Sequence, residues 1–205
     1  NMPIAEELAN KLNECAEKQD FEGAFGLVRR NQGELAKQLQ SIGVRDALKK
    51  TTNDRLLLSF LDGAGFEDRP LDEALVRLEK LLGFQPGAMA LAKTWGLGTV
   101  RKVDYFYRRV TVDFKTKRGH QFTYAAAVDM LESAPEDHIL VIQAADPARV
   151  EKMLKDEPGE FVKAVLRSYG DMTITRLEDV CVQNGFVKTA GWKSFWERAR
   201  ADLRK

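Results

Sequence analysis

The stretch that decides the fold is residues 95–124, WGLGTVRKVDYFYRRVTVDFKTKRGHQFTY. Within it, Val110, Val112 and Phe114 alternate with polar residues. A period of two places apolar side chains on one face of a β-strand and polar side chains on the other. This part of the chain therefore predicts β-structure, whereas the residues before and after it have helical spacing.

Two further strands are predicted around this one. Residues 100–103 mark an earlier strand, and apolar or aromatic residues alternate again over 120–124. The tripeptide Lys117-Arg118-Gly119 predicts the turn between the second and third strands, with Gly119 suited to a positive φ. Three short strands with tight turns indicate a small curled antiparallel sheet, an SH3-like or Tudor-like half-barrel.

The predicted fold class is α+β, mostly α, with helical regions flanking the half-barrel. The predicted domains are a helical, possibly repeat-like region 1–90, the β-module 91–143 and a helical region 144–205. Aspartates that precede apolar stripes are predicted helix N-caps: Asp20, Asp54 and Asp146. Gly43 is predicted to end the third helix, and residues 138–142 are predicted to form a last strand.

Charge is unevenly distributed over the 205 residues, although the net charge is only +1. Residues 93–120 hold eight Lys or Arg against two Asp, a net charge of +6, and residues 188–205 have +4. Residues 121–187 have a net charge of −6. A local basic field attracts nucleic acid or an acidic protein surface, whereas the alternative is a simply solvated surface.

Cysteine usage and hydropathy predict a cytoplasmic location. Cys15 and Cys181 stand singly without a Cys-x-x-Cys spacing, as expected of buried thiols in a reducing compartment. The sequence has no run of 18 apolar residues and no recognisable signal peptide. The expectation is a cytoplasmic protein without membrane contact, and the sequence leaves the oligomeric state open.

No catalytic or metal-ligating set is found in the sequence. His120 and His138 are the two histidines, and neither belongs to a ligand-spaced cluster. Asp104 and Asp113 each lie near basic residues, which favours a surface role over acid–base chemistry. The prediction is a protein that is not an enzyme and that binds no cofactor or metal.

A family resemblance rests on the glycine-rich part of the β-module. Pro86-Gly87 is followed by Trp-Gly-x-Gly-x-Val over residues 95–100, then by Val-Asp-Phe at 112–114 and Gly119-His120. This pattern resembles the N-terminal region of the long GreA-like transcription elongation factors of bacteria. Downstream residues continue the resemblance, which covers about residues 66–205: Asp146-Pro147, Pro158, Trp192, Trp196 and Leu203. The module is also similar to CarD-like polymerase-binding domains.

The resemblance implies an accessory role in transcription. Gre factors act through an acidic-tipped coiled coil, and this chain has neither coiled-coil heptads nor an acidic hairpin tip. The resemblance therefore implies a non-catalytic module that docks on RNA polymerase, on nucleic acid or on both, and that does not stimulate transcript cleavage alone. The alternative is a helical protein–protein adaptor with a structural β-insert and no nucleic-acid role.

The candidate contact residues are the cations and exposed aromatics of the β-module. They are Trp95, Arg101, Lys102, Tyr105, Tyr107, Arg108, Arg109, Lys115, Lys117 and Arg118. For Trp95 a core role and an exposed platform both remain open. Residues 105–107 form an aromatic loop between strands, and three consecutive aromatics can hardly all be buried.

Overall fold

The computed structural model describes residues 4–204, which form two compact units that meet in sequence at residues 133 and 134. The helices before residue 90 and the β-sheet belong to the first unit. The second unit is helical. The division into three domains at residues 90 and 143 stays a prediction about the organisation of the chain.

The first unit begins with helices whose starts carry capping aspartates. The helices are α1 (Ile4–Glu17), α2 (Phe21–Arg30), α3 (Gln32–Gln38), α4 (Ser41–Lys49), α5 (Arg55–Gly63) and α6 (Leu71–Leu82). Asp20 accepts a hydrogen bond from the backbone N–H of Gly23, and Asp54 accepts from Leu56 and Leu57. Each carboxylate satisfies N–H groups that lack a partner within the first turn of the helix.

The predicted end of the third helix at Gly43 was wrong. Helix α3 ends at Gln38, Leu39 is extended, and α4 then continues through Gly43. Val44 and Leu48, four residues apart on α4, are buried in the core of the unit. Their burial outweighs the modest cost of one glycine inside a helix.

A curled antiparallel sheet of five strands forms the β-module, which confirms the α+β, mostly α fold with its half-barrel. The strands are β1 (Met89–Ala92), β2 (Gly96–Asp104), β3 (Arg109–Phe114), β4 (His120–Thr123) and β5 (Leu131–Ser133). Their order is β4-β3-β2-β1-β5, and the short helix α7 (Tyr124–Met130) connects β4 to β5. The turn before β4 has Gly119 at φ 65°, as predicted.

Strands β1 and β5 were missed in the sequence. Ala90 and Ala92 are the buried residues of β1, and they pair with Ser133 and Leu131 of β5. Alanine has a low β-propensity, and a three-residue strand is too short for alternation to be read. These strands form because neighbouring strands supply hydrogen-bond partners for their backbone.

The glycines of the Trp-Gly-x-Gly segment have a structural explanation. Gly96 has φ 71°, a left-handed conformation that side chains disfavour. At Gly98 an added Cβ would lie 2.6 Å from Cδ1 of Phe114 and 2.7 Å from Cγ1 of Val112. The segment is therefore glycine-rich because one position turns the chain and the other lets β2 approach the core of the sheet closely.

Helix α5 and the sheet share one hydrophobic core through Tyr124. The Tyr124 ring packs against Phe60 with centroids 5.2 Å apart, and its hydroxyl lies 2.8 Å from Oγ of Ser59. A Cβ at Gly63 would approach Cδ2 of Tyr124 to 2.5 Å. This tight contact fixes the start of α7, and with it the end of β4, against α5.

The second unit contains no strand within residues 134–204, so the predicted strand over 138–142 was wrong. Its helices are α8 (Ile139–Ala145), α9 (Pro147–Asp156), α10 (Pro158–Tyr169), α11 (Ile174–Gln183) and α12 (Trp192–Asp202). Nδ1 of His138 accepts from the backbone N–H of Leu140, and Oγ of Ser168 accepts from that of Ile139. These bonds cap α8, and an apolar run of this length cannot be assigned to strand or helix by spacing alone.

Helix α12 contacts helices α9 and α10 of the second unit at their junction. Nη1 of Arg198 donates to the carbonyl of Lys155 at the end of α9, at 3.0 Å. Oδ2 of Asp202 accepts from the backbone N–H of Gly159 at the start of α10, at 3.1 Å. Asp146 caps α9 as predicted, by accepting from Arg149. Two charged residues of α12 are thus engaged in holding the helices together.

Candidate partner-binding surface

The ten candidate contact residues lie at two opposite ends of the sheet and on strands β2 and β3 between those ends. Residues 105–108 form the loop between β2 and β3, and residues 115–119 form the turn between β3 and β4. The six residues of β3 separate these loops by about 20 Å at the usual rise of a strand. The candidates therefore do not form a single cluster.

Trp95 lies at the end of the sheet that carries the β3–β4 turn. Its ring is half-buried, with centroids 5.6 Å from Phe114 and 4.4 Å from His120. The Lys117 ammonium lies 5.2 Å from the centre of the Trp95 ring, within cation–π range. Burial lowers the pKa of His120, and the nearby charge of Lys117 lowers it further. Trp95 thus packs against the core of the sheet with part of its ring exposed, and Lys117, another predicted contact residue, lies over that ring. Its role in partner binding stays a prediction.

The β3–β4 turn leaves two other cations exposed. The backbone N–H of Gly119 donates to Oδ1 of Asp113 at 2.6 Å, which closes the turn. Lys115 and Arg118 are exposed, and the part of the chain that the structure describes gives them no hydrogen bond or ion pair. These two side chains are available to an acidic partner, whereas Asp113 has a structural role.

The cations on strands β2 and β3 have charged or polar partners within the sheet. A β-bulge inserts Arg101 between the paired positions of β2, where its Nη1 lies 3.8 Å from Oδ1 of Asp113. Nζ of Lys102 lies 3.4 Å from Oδ2 of Asp104. Arg109 donates to Oε1 of Gln121 at 3.0 Å. Exposed pairs of this kind add little stability, and their cations can exchange partners at low cost.

The loop between β2 and β3 exposes three consecutive aromatic side chains, which we call the aromatic tip: Tyr105, Phe106 and Tyr107. Phe106 is 77% exposed and Tyr107 is 69% exposed. Their rings contact each other edge to face with centroids 5.0 Å apart. Phe106 was not among the ten candidate contact residues, although it lies within the aromatic loop noted in the sequence and is its most exposed member.

Hydrogen bonds hold the aromatic tip in one conformation. Oδ1 of Asp104 accepts from the backbone N–H groups of Phe106 at 3.0 Å and Tyr107 at 2.9 Å. The bond from Tyr107 lowers the pKa of the Asp104 carboxyl, and Lys102 acts in the same direction. Arg108 has φ 50°, and its carbonyl accepts from the N–H of Tyr124 at 3.1 Å.

Helix α5 supports the tip from the side. Nη1 of Arg55 lies 3.4 Å from the Tyr105 hydroxyl, and Nη2 of Arg108 lies 3.8 Å from Oδ2 of Asp62. A groove of about 590 Å³ runs beside Tyr107 and Arg108. Acidic and basic side chains line this groove together, among them Asp68, Arg69 and Arg77. The mixed charge gives the groove no preference for one sign of ligand.

The described residues contain neither a candidate metal site nor a helix that could span a membrane. Within residues 4–204, no group of three or more His, Cys, Asp or Glu side chains is placed to hold a metal ion. In the same range, no helix has both the length and the apolar composition needed to cross a membrane.

Comparison with known families finds a match in the second unit. The model of the GRAD helix-turn-helix domain matches residues 140–205, the segment from α8 to α12. No solved structure matches the chain significantly.

Curated relatives match a larger part of the chain. Transcription elongation factor GreA of Chlamydia pneumoniae is 25% identical over 160 residues, which are 77% of this chain and 22% of the relative. Transcription elongation factor GreA of Borreliella burgdorferi is 25% identical over 156 residues, 76% of this chain and 17% of the relative. A putative GreA-associated domains protein of Treponema pallidum is 22% identical over 139 residues, 67% of this chain and 21% of the relative. The chain thus spans about a fifth of the length of each relative, and these similarities confirm its resemblance to an accessory region of GreA-like factors.

Proposed function

We propose that this chain is a non-catalytic accessory region of a transcription elongation factor and that it docks on RNA polymerase through its β-module. The observation that carries the proposal is the similarity to two proteins named transcription elongation factor GreA, over about three quarters of the chain. Each match is longer than the helical second unit, so it includes part of the first unit.

The charge of the β-module supports docking on an acidic surface. Residues 93–120 have a net charge of +6, and Lys115 and Arg118 carry exposed charges that form no ion pair within the described residues. Exposed like charges on a small sheet repel one another, and a complementary partner surface removes that repulsion. Such complementarity also increases the rate of association.

The test is the binding of purified RNA polymerase from the source organism to the chain and to its variant K115E/R118E. Lys117 is left unchanged because it covers Trp95. We expect the double reversal to weaken binding about tenfold at low salt, and the loss to shrink as salt screens the charges. The matched control is K18E/K50E, which reverses two exposed lysines on the helical part of the same unit.

The outcomes separate the proposal from its alternatives. If the wild-type chain and K115E/R118E bind polymerase equally well, Lys115 and Arg118 do not contribute to docking. If no polymerase binds the wild-type chain, the proposal fails and the helical-adaptor interpretation takes its place. Strong binding of DNA or RNA, with a steep loss of affinity as salt rises, would indicate nucleic acid as the partner.

A further inference from the structure

The aromatic tip exposes an unusual amount of apolar surface at one point. The exposed fractions are 44% for Tyr105, 77% for Phe106 and 69% for Tyr107. Single exposed apolar residues are ordinary on protein surfaces, but a contiguous patch at a protruding position indicates an interaction site. In a β-hairpin loop a polar residue would serve the turn equally well, so the fold does not require these three aromatics.

The tip is organised before any partner binds. The two hydrogen bonds to Asp104 fix the backbone of Phe106 and Tyr107, and the left-handed backbone of Arg108 is held by its bond to Tyr124. A non-glycine residue in this conformation costs free energy that the surrounding structure must offset. A fixed loop loses little conformational entropy on binding, which leaves more of the contact energy for affinity.

We propose that Phe106, supported by Tyr107, inserts as an anchor into an apolar pocket with an acidic rim on the partner protein. This inference rests on the proposed function, and it names the contact that provides most of the affinity. Burying one aromatic side chain in a protein pocket is the typical arrangement of an interface hot spot. Lys102, Arg108 and Arg109 beside the tip are exposed, and their weak surface contacts within the chain can be exchanged at low cost for contacts with an acidic rim.

The geometry of the two rings favours a protein pocket over stacked bases. Phe106 and Tyr107 meet at 87°, so they present one ring face and one ring edge rather than two parallel faces. Successive bases stack on aromatic faces, which such a pair cannot both provide. The tip is also convex, because it is the end of a hairpin, and a convex apolar group fits a concave site.

The test measures the affinity of purified RNA polymerase for the whole chain and its variants. We expect F106A to weaken binding roughly 30-fold, the loss that follows from removal of a hot-spot aromatic. F106L should lose less than about fivefold, since leucine still fills an apolar pocket. The matched control is V76A on α6, another exposed apolar side chain of the first unit, which should bind as the wild type does.

Salt dependence separates the anchor from the charged contacts. The loss caused by F106A should be the same at low and high salt, whereas the loss caused by K115E/R118E should shrink. If the chain binds polymerase and F106A binds equally well, the anchor inference is overturned and the proposed function stands. If the wild-type chain does not bind polymerase, both fail. If F106A and F106L both weaken the binding of single-stranded RNA and neither weakens the binding of polymerase, the tip acts by base stacking, and the pocket inference is overturned.

Discussion

Two ends of strand β3 carry the same kinds of side chain, aromatic rings beside cations, in opposite environments. At one end Trp95 packs against Phe114 and His120 and lies under Lys117. At the other end Phe106 is exposed on a loop. At the first end Lys117 lies over an aromatic ring of the core, whereas at the second end the aromatic side chains are exposed to solvent.

The difference shows how the surroundings decide the role of an aromatic residue. At the Trp95 end, Gly98 leaves room for the rings of the core, so Phe114 comes close to the backbone of β2. At the tip, Asp104 holds the loop outward through its bonds to Phe106 and Tyr107. Residue type alone therefore does not separate structural aromatics from contact aromatics, whereas the local backbone does.

The largest expected difference between the two ends is in stability. Phe114→Ala should lower the free energy of unfolding of the first unit by about 3–5 kcal/mol, because the side chain is fully buried and leaves a cavity. Phe106→Ala should change it by less than about 0.5 kcal/mol. Urea unfolding followed by the amide NMR signals of β3 measures both. Similar losses for the two variants would mean that the tip is part of the core.

A second comparison concerns the aspartates that hold the loops at each end. Asp113→Ala should lower the free energy of unfolding by about 1.5 kcal/mol through loss of its bond to Gly119, and polymerase binding should change less than about twofold. Asp104→Ala should lower the free energy of unfolding by a similar amount, about 1.5 kcal/mol, through loss of its bonds to Phe106 and Tyr107. Unlike Asp113→Ala, it should also weaken polymerase binding about fivefold, because the tip loses its fixed conformation.

The sign of the Asp104 effect is diagnostic. Removal of a negative charge would strengthen attraction to an acidic partner if charge alone decided binding. Weaker binding by the Asp104→Ala variant therefore supports the organised tip. Stronger binding would show that the tip acts only through its charge. Calorimetric titration of both variants with polymerase, beside thermal unfolding, gives the two readouts.

The smallest expected effect concerns His120. Lys117→Met should raise the pKa of His120, since one of the two causes of its lowering is removed, while burial remains. NMR titration of the imidazole signals measures the shift, and Lys115→Met is the control because Lys115 is not a cause of the lowering. An unchanged pKa in the Lys117 variant would place the ammonium away from the Trp95–His120 pair.

The same pKa has a consequence for stability. Because the pKa of folded His120 is lowered, the unfolded chain takes up a proton first as pH falls. The contribution of His120 to stability is therefore complete above about pH 6.5 and is lost as the pH falls through the lowered pKa of the folded state. His138, whose pKa is lowered by burial, acts in the same direction in the second unit.

Local patterns in the sequence determined much of this protein. The alternation of Val110, Val112 and Phe114 predicted β3 with its buried face, and Asp20 and Asp146 predicted helix starts. These features depend on interactions between residues close in sequence: alternating side-chain direction and a cap bonded to the next turn. The Trp-Gly-x-Gly segment similarly indicated the GreA-like resemblance that the curated relatives support.

Only the tertiary structure decided what depends on distant residues. Strand β1 exists through its pairing with β2, and β5 through its pairing with β1. The start of α8 is fixed by Ser168, 29 residues away from Ile139. Whether Trp95 or Phe106 would be exposed was decided in the same way. The sheet brings Phe114 and Phe122 against Trp95, and nothing in the described residues covers Phe106 in this way. The sequence could not predict this difference, because packing between distant elements leaves no short-range pattern.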